Sequence, residues 1–524
     1  MTPPKSEKYF FVTTPIYYVN DVPHIGHAYT TVAADVLARY KRLEGHRVFF
    51  LTGTDEHGQK VEKAAQERGV DPMTHCNEMV QRFQSLWKKL NISHSDFIRT
   101  TEARHKSIVQ KILQDLYNRG EIYQDDYEGW YCVPDERFWT EKDLVDGTCP
   151  DCRRPVIAIS EKNYFFRMSR YQSWLIEVIE KNERFILPPS RRNEILGFLR
   201  SPLGDLCISR PKKRLNWGIE IPFDTDYVTY VWFDALINYV SGIGFGSEQS
   251  QFCSFWPEAV HLIGKDILTT HTVYWPTMLK AIGLTPPKTV FAHGWWTVEG
   301  KKMSKSLQNV VEPNRLIETY GVDAVRYFLM REVPFGLDGD FSHPAMIHRI
   351  NSDLANDLGN LFSRTLSMAI RYFDGIIPAP SDPRKVDQGL QGICERTFPV
   401  LSRQMDDLAF SRALSSLWEI VSAVNKYIDE TAPWSLAKQD EDRPRLGTVI
   451  YSALESIRII ALLLASFIPA TAEKMWALLG TEGDLWESRL EKDGKWGGLR
   501  PGRKVTKPLP LFPRIDPSKN PPSV

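Results

Sequence analysis

The strongest constraint on the fold is an alternation of strand and helix patterns at the start of the chain. A β-branched and aromatic run at residues 9–14 predicts a buried strand, and a loop with Pro15 follows it. A helical pattern then covers residues 28–43, and a second strand is predicted at residues 47–53. Such alternation predicts a parallel α/β sheet, whose ligands bind at the carboxyl ends of the strands.

A chain of 524 residues is too long for one compact core, and its pattern changes along the sequence. Short pieces rich in Gly, Pro and Cys predict an insertion, strand–helix alternation resumes at residues 228–233, and the last part is helical in period. We therefore predict a Rossmann-type parallel sheet split by a connective insertion and followed by an all-α helical bundle. The predicted segments are 1–120 and 228–298 for the two halves of the α/β domain, 121–227 for the insertion, 299–342 for a linker, 343–510 for the bundle and 511–524 for a Pro-rich tail, which is either an extended strap or disordered.

Composition and charge narrow the class of protein. Lys plus Arg and Asp plus Glu both number 65, so any contact with RNA must use local patches and not a global positive charge. The most apolar run, residues 459–468, is too short to cross a bilayer and predicts a buried helix. The start of the chain lacks a secretory pattern, and seven scattered cysteines favour a reducing compartment. We expect a cytoplasmic protein without a membrane partner; an organellar protein with a trimmed leader is the alternative.

Two short motifs carry groups suited to binding a polyphosphate. His24 and His27 share one face at the start of the first helix, beside free N–H groups and the positive end of the helix dipole. Between them Gly26 has no Cβ, so a flat base or ribose can lie on the backbone. Far downstream, Lys302 and Lys305 belong to the run KKMSKS, whose mobile ammonium groups can grip and release phosphates. Taken singly, each motif has another explanation. The histidines can be a structural pair, and the lysine run can be a solvated basic loop or a localisation signal.

Together and in this order, the two motifs resemble the signatures of class I aminoacyl-tRNA synthetases. The resemblance implies that His24 and His27 stabilise the ATP phosphates, while Lys302 and Lys305 neutralise the pyrophosphate leaving group. Mg²⁺ is expected with ATP because it shields the phosphate charge. One rival is a shorter nucleotidyltransferase of the same superfamily, which would lack the helical half. The other is an inactive paralogue that only binds tRNA, and the intact motif residues argue against it.

The surrounding segments resemble methionyl-tRNA synthetases over essentially the whole chain. The matching segments are TPIYYVN from Thr14, GTDEHG from Gly53, WFDA from Trp232, GKDI from Gly264 and HGW from His293. The resemblance implies that Asp55 holds the substrate ammonium and that the methionine side chain contacts Ile16, Tyr18, Trp232, Leu236, Tyr239, Ile267 and His271. It places ATP against Gly26, Asp266, His293, Gly294, Val298 and Lys305.

An aromatic pocket is chemically suited to methionine. A flexible thioether makes favourable contacts with rings, and Tyr18 and His271 offer polar edges near the sulfur. Leu236 stands where some relatives carry proline, and it can form the same apolar wall. Ordinary core packing is the alternative for each aromatic residue. The insertion is too small for the editing domain that enzymes for branched aliphatic amino acids need, because one methylene gives them little discrimination.

A cysteine cluster lies in the insertion. The resemblance implies a structural zinc site whose ligands are Cys132, Asp135, Cys149 and Cys152. In zinc-bearing relatives a cysteine stands at the position of Asp135, but aspartate also ligates zinc. The alternative is a knuckle that packs without metal, as in metal-free members of the family.

The helical half contains residues suited to reading an unpaired base. Asn360 and Arg364 lie one helical turn apart, and Trp434 follows Pro433. An exposed indole stacks on a base, while Asn and Arg read its edge. The family's anticodon-binding residues fall on Asn360, Arg364 and Trp434, although Trp434 is also suited to capping the bundle. The implied partners are methionine, ATP and tRNA(Met), including initiator tRNA, and by analogy we expect a monomer.

Overall fold

The computed structural model describes residues 7–132, 137–139, 141–150, 152–247, 251–298, 300–302 and 310–517. The strands, in chain order, are β1 (Tyr9–Tyr18), β2 (Arg47–Asp55), β3 (Asp96–Arg99), β4 (Ile122–Cys132), β5 (Arg137–Trp139), β6 (Ile157–Phe166), β7 (Ile186–Leu187), β8 (Leu206–Cys207), β9 (Ser209–Pro211), β10 (Glu220–Ile221), β11 (Asp224–Thr229), β12 (Ala259–Gly264), β13 (Thr289–His293), β14 (Trp296–Val298), β15 (Lys301–Lys302) and β16 (Gly339–Phe341). The helices are α1 (Ile25–Leu43), α2 (Gln59–Glu67), α3 (Pro72–Lys89), α4 (Ala103–Asn118), α5 (Gln172–Lys181), α6 (Pro189–Phe198), α7 (Val231–Leu236), α8 (Asn238–Ser241), α9 (Phe252–Phe255), α10 (Trp275–Ile282), α11 (Pro313–Tyr320), α12 (Val322–Arg331), α13 (His343–Arg349), α14 (Leu361–Phe373), α15 (Lys385–Asp406), α16 (Phe410–Thr431), α17 (Pro433–Leu436), α18 (Arg443–Leu464), α19 (Pro469–Leu478) and α20 (Leu490–Asp493).

A six-stranded sheet in the order β3-β2-β1-β12-β13-β7 organises the N-terminal half. All neighbouring strands in it are parallel, which confirms the predicted fold class. Both faces are covered: Phe10 and Val12 of β1 point into one hydrophobic core, while Phe11 points into the other. The strand order changes direction between β1 and β12, where doubly wound sheets open a crevice for ligands.

The first strand and helix are longer than their sequence patterns predicted. β1 continues to Tyr18 through a shift in register between Thr13 and Ile16, so Pro15 lies inside the irregularity and not in a loop. A proline has no N–H to donate to a neighbouring strand, and it is tolerated at such a bulge. Helix α1 begins at Ile25, three residues earlier than predicted, because the side chain of His24 caps it.

The prediction of a sheet strand at residues 228–233 was wrong. Strand β11 ends at Thr229 and belongs to a separate antiparallel sheet with β9 and β10, and α7 follows at once. A short apolar run does not distinguish a strand from a buried helix by periodicity. The insertion also differs from its predicted extent, because β7 (Ile186–Leu187) pairs with β13 at the edge of the main sheet. The rest of the insertion includes the antiparallel sheet β5-β4-β6-β8.

The described chain after β16 is helical, as the sequence predicted. Its central helix α18 lies in a segment (Asp440–Leu464) apolar and long enough for a membrane span, with mean hydropathy 1.6, yet the whole apolar window is buried among other helices. The apolar run at 459–468 is buried as expected, but the helix ends at Leu464 and a turn leads into α19. The tail is extended up to residue 517, and Leu511, Phe512 and Ile515 pack on the core. Of the two predicted alternatives, this part of the tail therefore resembles the extended strap, and residues 518–524 lie outside the described ranges.

Candidate active site

A cavity of about 540 Å³ opens at the carboxyl ends of β1, β2, β12 and β13. The structure brings most of the predicted site residues to its wall. These are Ile16, Tyr18, His24, Gly26, His27, Asp55, Trp232, Leu236, Tyr239, Asp266, Ile267, His271, His293 and Gly294. Val298 is not among them: it belongs to β14 and packs in the hydrophobic core. Lys305 and the side chain of Lys302 lie outside the described residues, although the backbone of Lys302 pairs with Thr297 of β14.

The two histidines form a reciprocal cap at the start of α1. The Gly26 N–H donates to His24 Nδ1 over 3.1 Å, and the His24 N–H donates to His27 Nδ1 over 3.2 Å. The rings stack with their centroids 3.7 Å apart and an interplanar angle of 25°. Because each Nδ1 accepts a backbone hydrogen, the proton of each neutral ring lies on Nε2. The pair thus presents two N–H donors whose orientation the helix start determines.

Burial keeps both of these rings neutral. It lowers the pKa of His24, against the opposite effect of the Asp21 and Asp266 carboxylates. It lowers the pKa of His27 well below the ordinary value, and the neighbouring His24 adds to this effect. Neutral donors can stabilise charge that develops on phosphate oxygens without first losing a salt bridge.

Two glycines in the wall are required for close approach. A Cβ on Gly26 would lie 3.0 Å from the His24 ring, so this glycine makes room for the stacked histidines themselves. From the sequence we had explained Gly26 only by the room that it leaves for a base or ribose. A Cβ on Gly294 would lie 2.3 Å from the backbone of Leu337, which cannot move aside as a side chain can. Gly294 therefore allows the loop after β13 to pack against the segment that precedes β16.

The apolar end of the cavity holds a polar pair with defined proton positions. His271 lies in a wide π-helical turn, Thr270–Tyr274, and its Nδ1 is 2.9 Å from the Ile267 carbonyl, which can only accept. Its Nε2 is therefore the acceptor for the Tyr239 hydroxyl at 2.7 Å. Burial lowers the pKa of His271 to about 4, so the ring is neutral at physiological pH.

A second layer that sequence reasoning missed supports this pair. The His261 ring stacks on Tyr239 with centroids 4.1 Å apart. Its Nε2 accepts from Trp275 Nε1 over 3.3 Å, and its Nδ1 lies 2.8 Å from the Thr13 hydroxyl. In the sequence, His261 is one polar residue within an apolar strand. Because β12 is buried on both faces, a polar residue at this position indicates a specific hydrogen-bonding role, and this was the signal that could have identified it.

The opposite end of the cavity has its own polar residues. His293 Nδ1 is 2.7 Å from the Gly294 carbonyl, and its Nε2 is 2.6 Å from the Thr30 hydroxyl. Trp295 Nε1 donates to Asp266 over 3.1 Å, and the Trp295 indole is 37% exposed at the rim. The sequence did not select several wall residues, namely Thr30, Lys60, Asn238 and Trp295.

The cysteine cluster is also assembled in space. The sulfurs of Cys132, Cys149 and Cys152 lie within 4.8 Å of one another, and Cys132 and Cys152 are 3.4 Å apart, too far for a disulfide. Zinc–sulfur bonds of about 2.3 Å at tetrahedral angles require sulfurs roughly 3.8 Å apart. The three thiols therefore fit a zinc ion, while Asp135 lies outside the described residues.

Comparison with known proteins agrees with this geometry. The profile of class I tRNA synthetases (M) matches residues 10–158 and 154–366, and that of the anticodon binding domain of methionyl tRNA ligase matches residues 377–520. A methionine–tRNA ligase of Caldanaerobacter subterraneus is 52% identical over 516 residues, covering 98% of this chain and 80% of the relative. One from Clostridium perfringens is 51% identical, covering 97% and 78%. The chain belongs to the methionyl-tRNA synthetases. It is therefore a class I aminoacyl-tRNA synthetase, and the predicted family is confirmed.

Solved structures of this family share the whole architecture. Mycobacterium tuberculosis methionyl-tRNA synthetase in complex with methionyl-adenylate is 42% identical, with a TM-score of 0.93 over 97% of this chain and 100% of that one. The free-state structure from the same organism has a TM-score of 0.85 and 39% identity, over 98% and 99% of the two chains. Over the whole backbone, the fold is thus more similar to the adenylate-bound structure than to the free-state one.

The helical half of this synthetase holds the three residues predicted to read the anticodon. Asn360 is exposed at the end of a π-helical segment, Ile350–Asn360. On the next turn, Arg364 donates to the Asn425 side chain over 2.9 Å and pairs with Asp429 at 3.0 Å. Trp434 is 47% exposed in α17, so its indole is accessible for stacking.

Proposed function

We propose that this chain activates methionine with ATP and then transfers it to tRNA(Met), including initiator tRNA. In the first step, a carboxylate oxygen of methionine forms a bond to the α-phosphorus of ATP while the bond to pyrophosphate breaks. In the second step, a hydroxyl of the terminal ribose attacks the carbonyl carbon of methionyl-adenylate, and AMP leaves. The observation that carries the proposal is that the histidine pair, Asp55 and an aromatic pocket all line one cavity at the strand ends.

We assign the phosphate-binding role to His24 and His27. Their Nε2–H groups would donate to the phosphates as charge builds up in the transition state, and the backbone hydrogen bonds at the helix start hold their stacked geometry. Lys302 and Lys305 would neutralise the leaving pyrophosphate. Mg²⁺ bound to the ATP phosphates would supply further charge neutralisation.

We assign methionine recognition to the other residues of the cavity. Asp55 at the end of β2 would accept from the ammonium group in a charge-assisted hydrogen bond. The thioether would lie against Trp232 and Leu236, with the Tyr239 hydroxyl and His271 near the sulfur. The adenosine would lie against Gly26, Asp266, His293 and Gly294.

Cys132, Cys149 and Cys152 would hold a structural zinc ion, with Asp135 as the fourth ligand. The sulfur separations and the thiol chemistry support this proposal. In the helical half, Asn360, Arg364 and Trp434 would contact the anticodon, and the exposed positions of Asn360 and Trp434 support that role. We further propose that the protein is cytoplasmic and that it is a monomer. Light scattering at the enzyme concentrations used in activity assays would test the monomer, for which we expect the mass of a single chain.

Exchange of pyrophosphate into ATP across a panel of amino acids tests the reaction. We expect exchange with methionine and a loss of roughly 100-fold or more in the His27→Asn variant, as for other groups that stabilise transition-state charge. Exchange only with another amino acid would overturn the substrate assignment. No exchange with any amino acid, together with retained tRNA binding, would show that the chain is an inactive paralogue.

A further inference from the structure

The wall of the methionine pocket is built on two helices too short to be stable alone. Helix α7 has six residues and carries Trp232 and Leu236, while α8 has four residues and carries Tyr239. Neither helix has a side-chain cap at its first turn. Helices of this length do not form without tertiary contacts, so some other contact must place these wall residues.

Asp234 supplies such a contact from the middle of α7. Its carboxylate is completely buried and lies between two imidazoles, with Oδ2 at 2.6 Å from His57 Nδ1 and Oδ1 at 2.7 Å from His105 Nε2. His57 follows the end of β2, and His105 belongs to α4. One side chain therefore joins the pocket helix to two elements that are remote in sequence.

The contact also reaches α8 through His105. Nδ1 of that ring lies 2.8 Å from the Ser241 hydroxyl, at the end of the helix that carries Tyr239. His57 is two residues beyond Asp55, the proposed ammonium site, and its ring packs on Trp217 at 5.5 Å. The hydrogen-bonded chain from His57 to Ser241 thus spans the ammonium end and the side-chain end of the pocket.

The Asp234 carboxylate, at the centre of this hydrogen-bonded chain, is ionised. Burial raises the pKa of Asp234, but His57 and His105 outweigh it, and the result is a pKa of about 2. An ionised carboxylate only accepts, so both imidazoles must donate to it. Loss of the carboxylate would leave two buried N–H donors without their acceptor, which destabilises the arrangement of the segments that carry them.

We propose that Asp234 is a positioning residue that holds the side-chain pocket in register with the ammonium site, and so determines how tightly methionine binds. The inference depends on the proposed function, because it assumes that methionine occupies this cavity. Asp234 need not touch the substrate: it acts through α7, α8 and the segment after β2. The expected effect is therefore on the KM for methionine and not on ATP binding at the other end of the cavity.

Steady-state pyrophosphate exchange with Asp234→Ala and Asp234→Asn tests this inference. We expect Asp234→Ala to raise the KM for methionine roughly tenfold or more, with the KM for ATP changed less than about twofold. Asparagine should restore most of the loss. Its oxygen accepts from one imidazole, and its NH₂ can donate to the other if that ring moves its proton to its second nitrogen. His105 can do so because the Ser241 hydroxyl can rotate to accept.

Asp387 provides a matched control in the helical bundle. It is also a buried carboxylate, paired with Arg445 and bonded to the Tyr427 hydroxyl, but it lies far along the chain from the cavity residues. Asp387→Ala should lower thermal stability and leave the KM for methionine unchanged. An equal rise in that KM for Asp387→Ala, or equal changes in both KM values for Asp234→Ala, would show a general loss of stability and overturn the inference.

Further results distinguish a failure of the positioning role from misfolding and from a failure of the proposed function. If Asp234→Ala does not fold, Ser241→Ala is the alternative variant. It removes only the last hydrogen bond of the chain that runs from His57 to Ser241, and it should still raise the KM for methionine by a few-fold. An unchanged KM in that variant would then contradict the inference. If the unmodified enzyme activates methionine but Asp234→Ala binds it normally, only the positioning role fails. If the unmodified enzyme shows no exchange with methionine, the proposed function fails first.

Discussion

Replacing Tyr239 by Phe should weaken methionine activation through one buried hydrogen bond. Tyr239 and His271 are both almost fully buried, and the hydroxyl donates to His271 Nε2 over 2.7 Å. The other ring nitrogen is already committed to the Ile267 carbonyl, so the ring cannot turn to satisfy Nε2 elsewhere. The aromatic ring itself stays in place in the variant, because it still stacks on His261.

The magnitude follows from what replaces the hydroxyl. In the free variant, water can enter the cavity and donate to His271 Nε2. A bound thioether expels that water and cannot donate in its place, so binding leaves a buried acceptor unpaired at a cost of about 1–3 kcal/mol. This corresponds to a loss of roughly 5- to 150-fold in kcat/KM for methionine. The ring is neutral at pH 7, because burial lowers the pKa of His271 to about 4, so a charged hydrogen bond adds nothing.

Pyrophosphate exchange with methionine and norleucine measures this effect. Norleucine has a methylene in place of sulfur and, like methionine, cannot donate to the unpaired nitrogen. Because the single hydrogen of the Tyr239 hydroxyl is committed to His271, we expect the variant to lose a similar factor of activity with both amino acids. Tyr451→Phe is the matched control, since its buried hydroxyl donates to the Leu499 carbonyl over 2.9 Å in the bundle. A loss below twofold for methionine, or a loss with methionine alone and none with norleucine, would refute the reasoning.

Three other predictions concern the remaining parts of the molecule. Trp434→Ala should raise the KM for tRNA by roughly 5- to 150-fold through loss of a base stack worth about 1–3 kcal/mol, leaving pyrophosphate exchange intact; Val400→Ala, at another exposed apolar residue, should change neither assay. Metal analysis by mass spectrometry should find about one zinc per chain, and less in Cys149→Ser; a clearly substoichiometric content after mild purification would contradict the zinc site. Thermal stability should fall as the pH drops from about 6.5 towards 4, because His271 binds a proton at about 6.5 when unfolded but only near 4 when folded. Melting curves of His271→Gln should show a smaller fall, and an identical fall would exclude this contribution.

Local patterns in the sequence were enough to predict the histidine pair of the active site. His24 and His27 are close because they lie three residues apart at a helix start, a distance that helix geometry sets without help from the rest of the fold. The strands β12 and β13 were predictable for a similar reason, since an apolar run between turn residues carries its own signal. The family resemblance then supplied the substrate and the pocket residues, which periodicity alone would have assigned to the core.

Contacts between distant segments were decided only by the tertiary structure. Tyr239 and His271 are 32 residues apart, and Asp234 lies 177 residues from His57 and 129 from His105. No local pattern records which polar residues will meet in a buried site. The helix α7 shows the same limit, because its apolar run fits a strand equally well until its neighbours bury it. The sequence by itself determined the class of chemistry, through residues that act as neighbours along the chain. Packing decided which histidines are neutral and which carboxylate holds the pocket, because burial and partners from other elements set those properties.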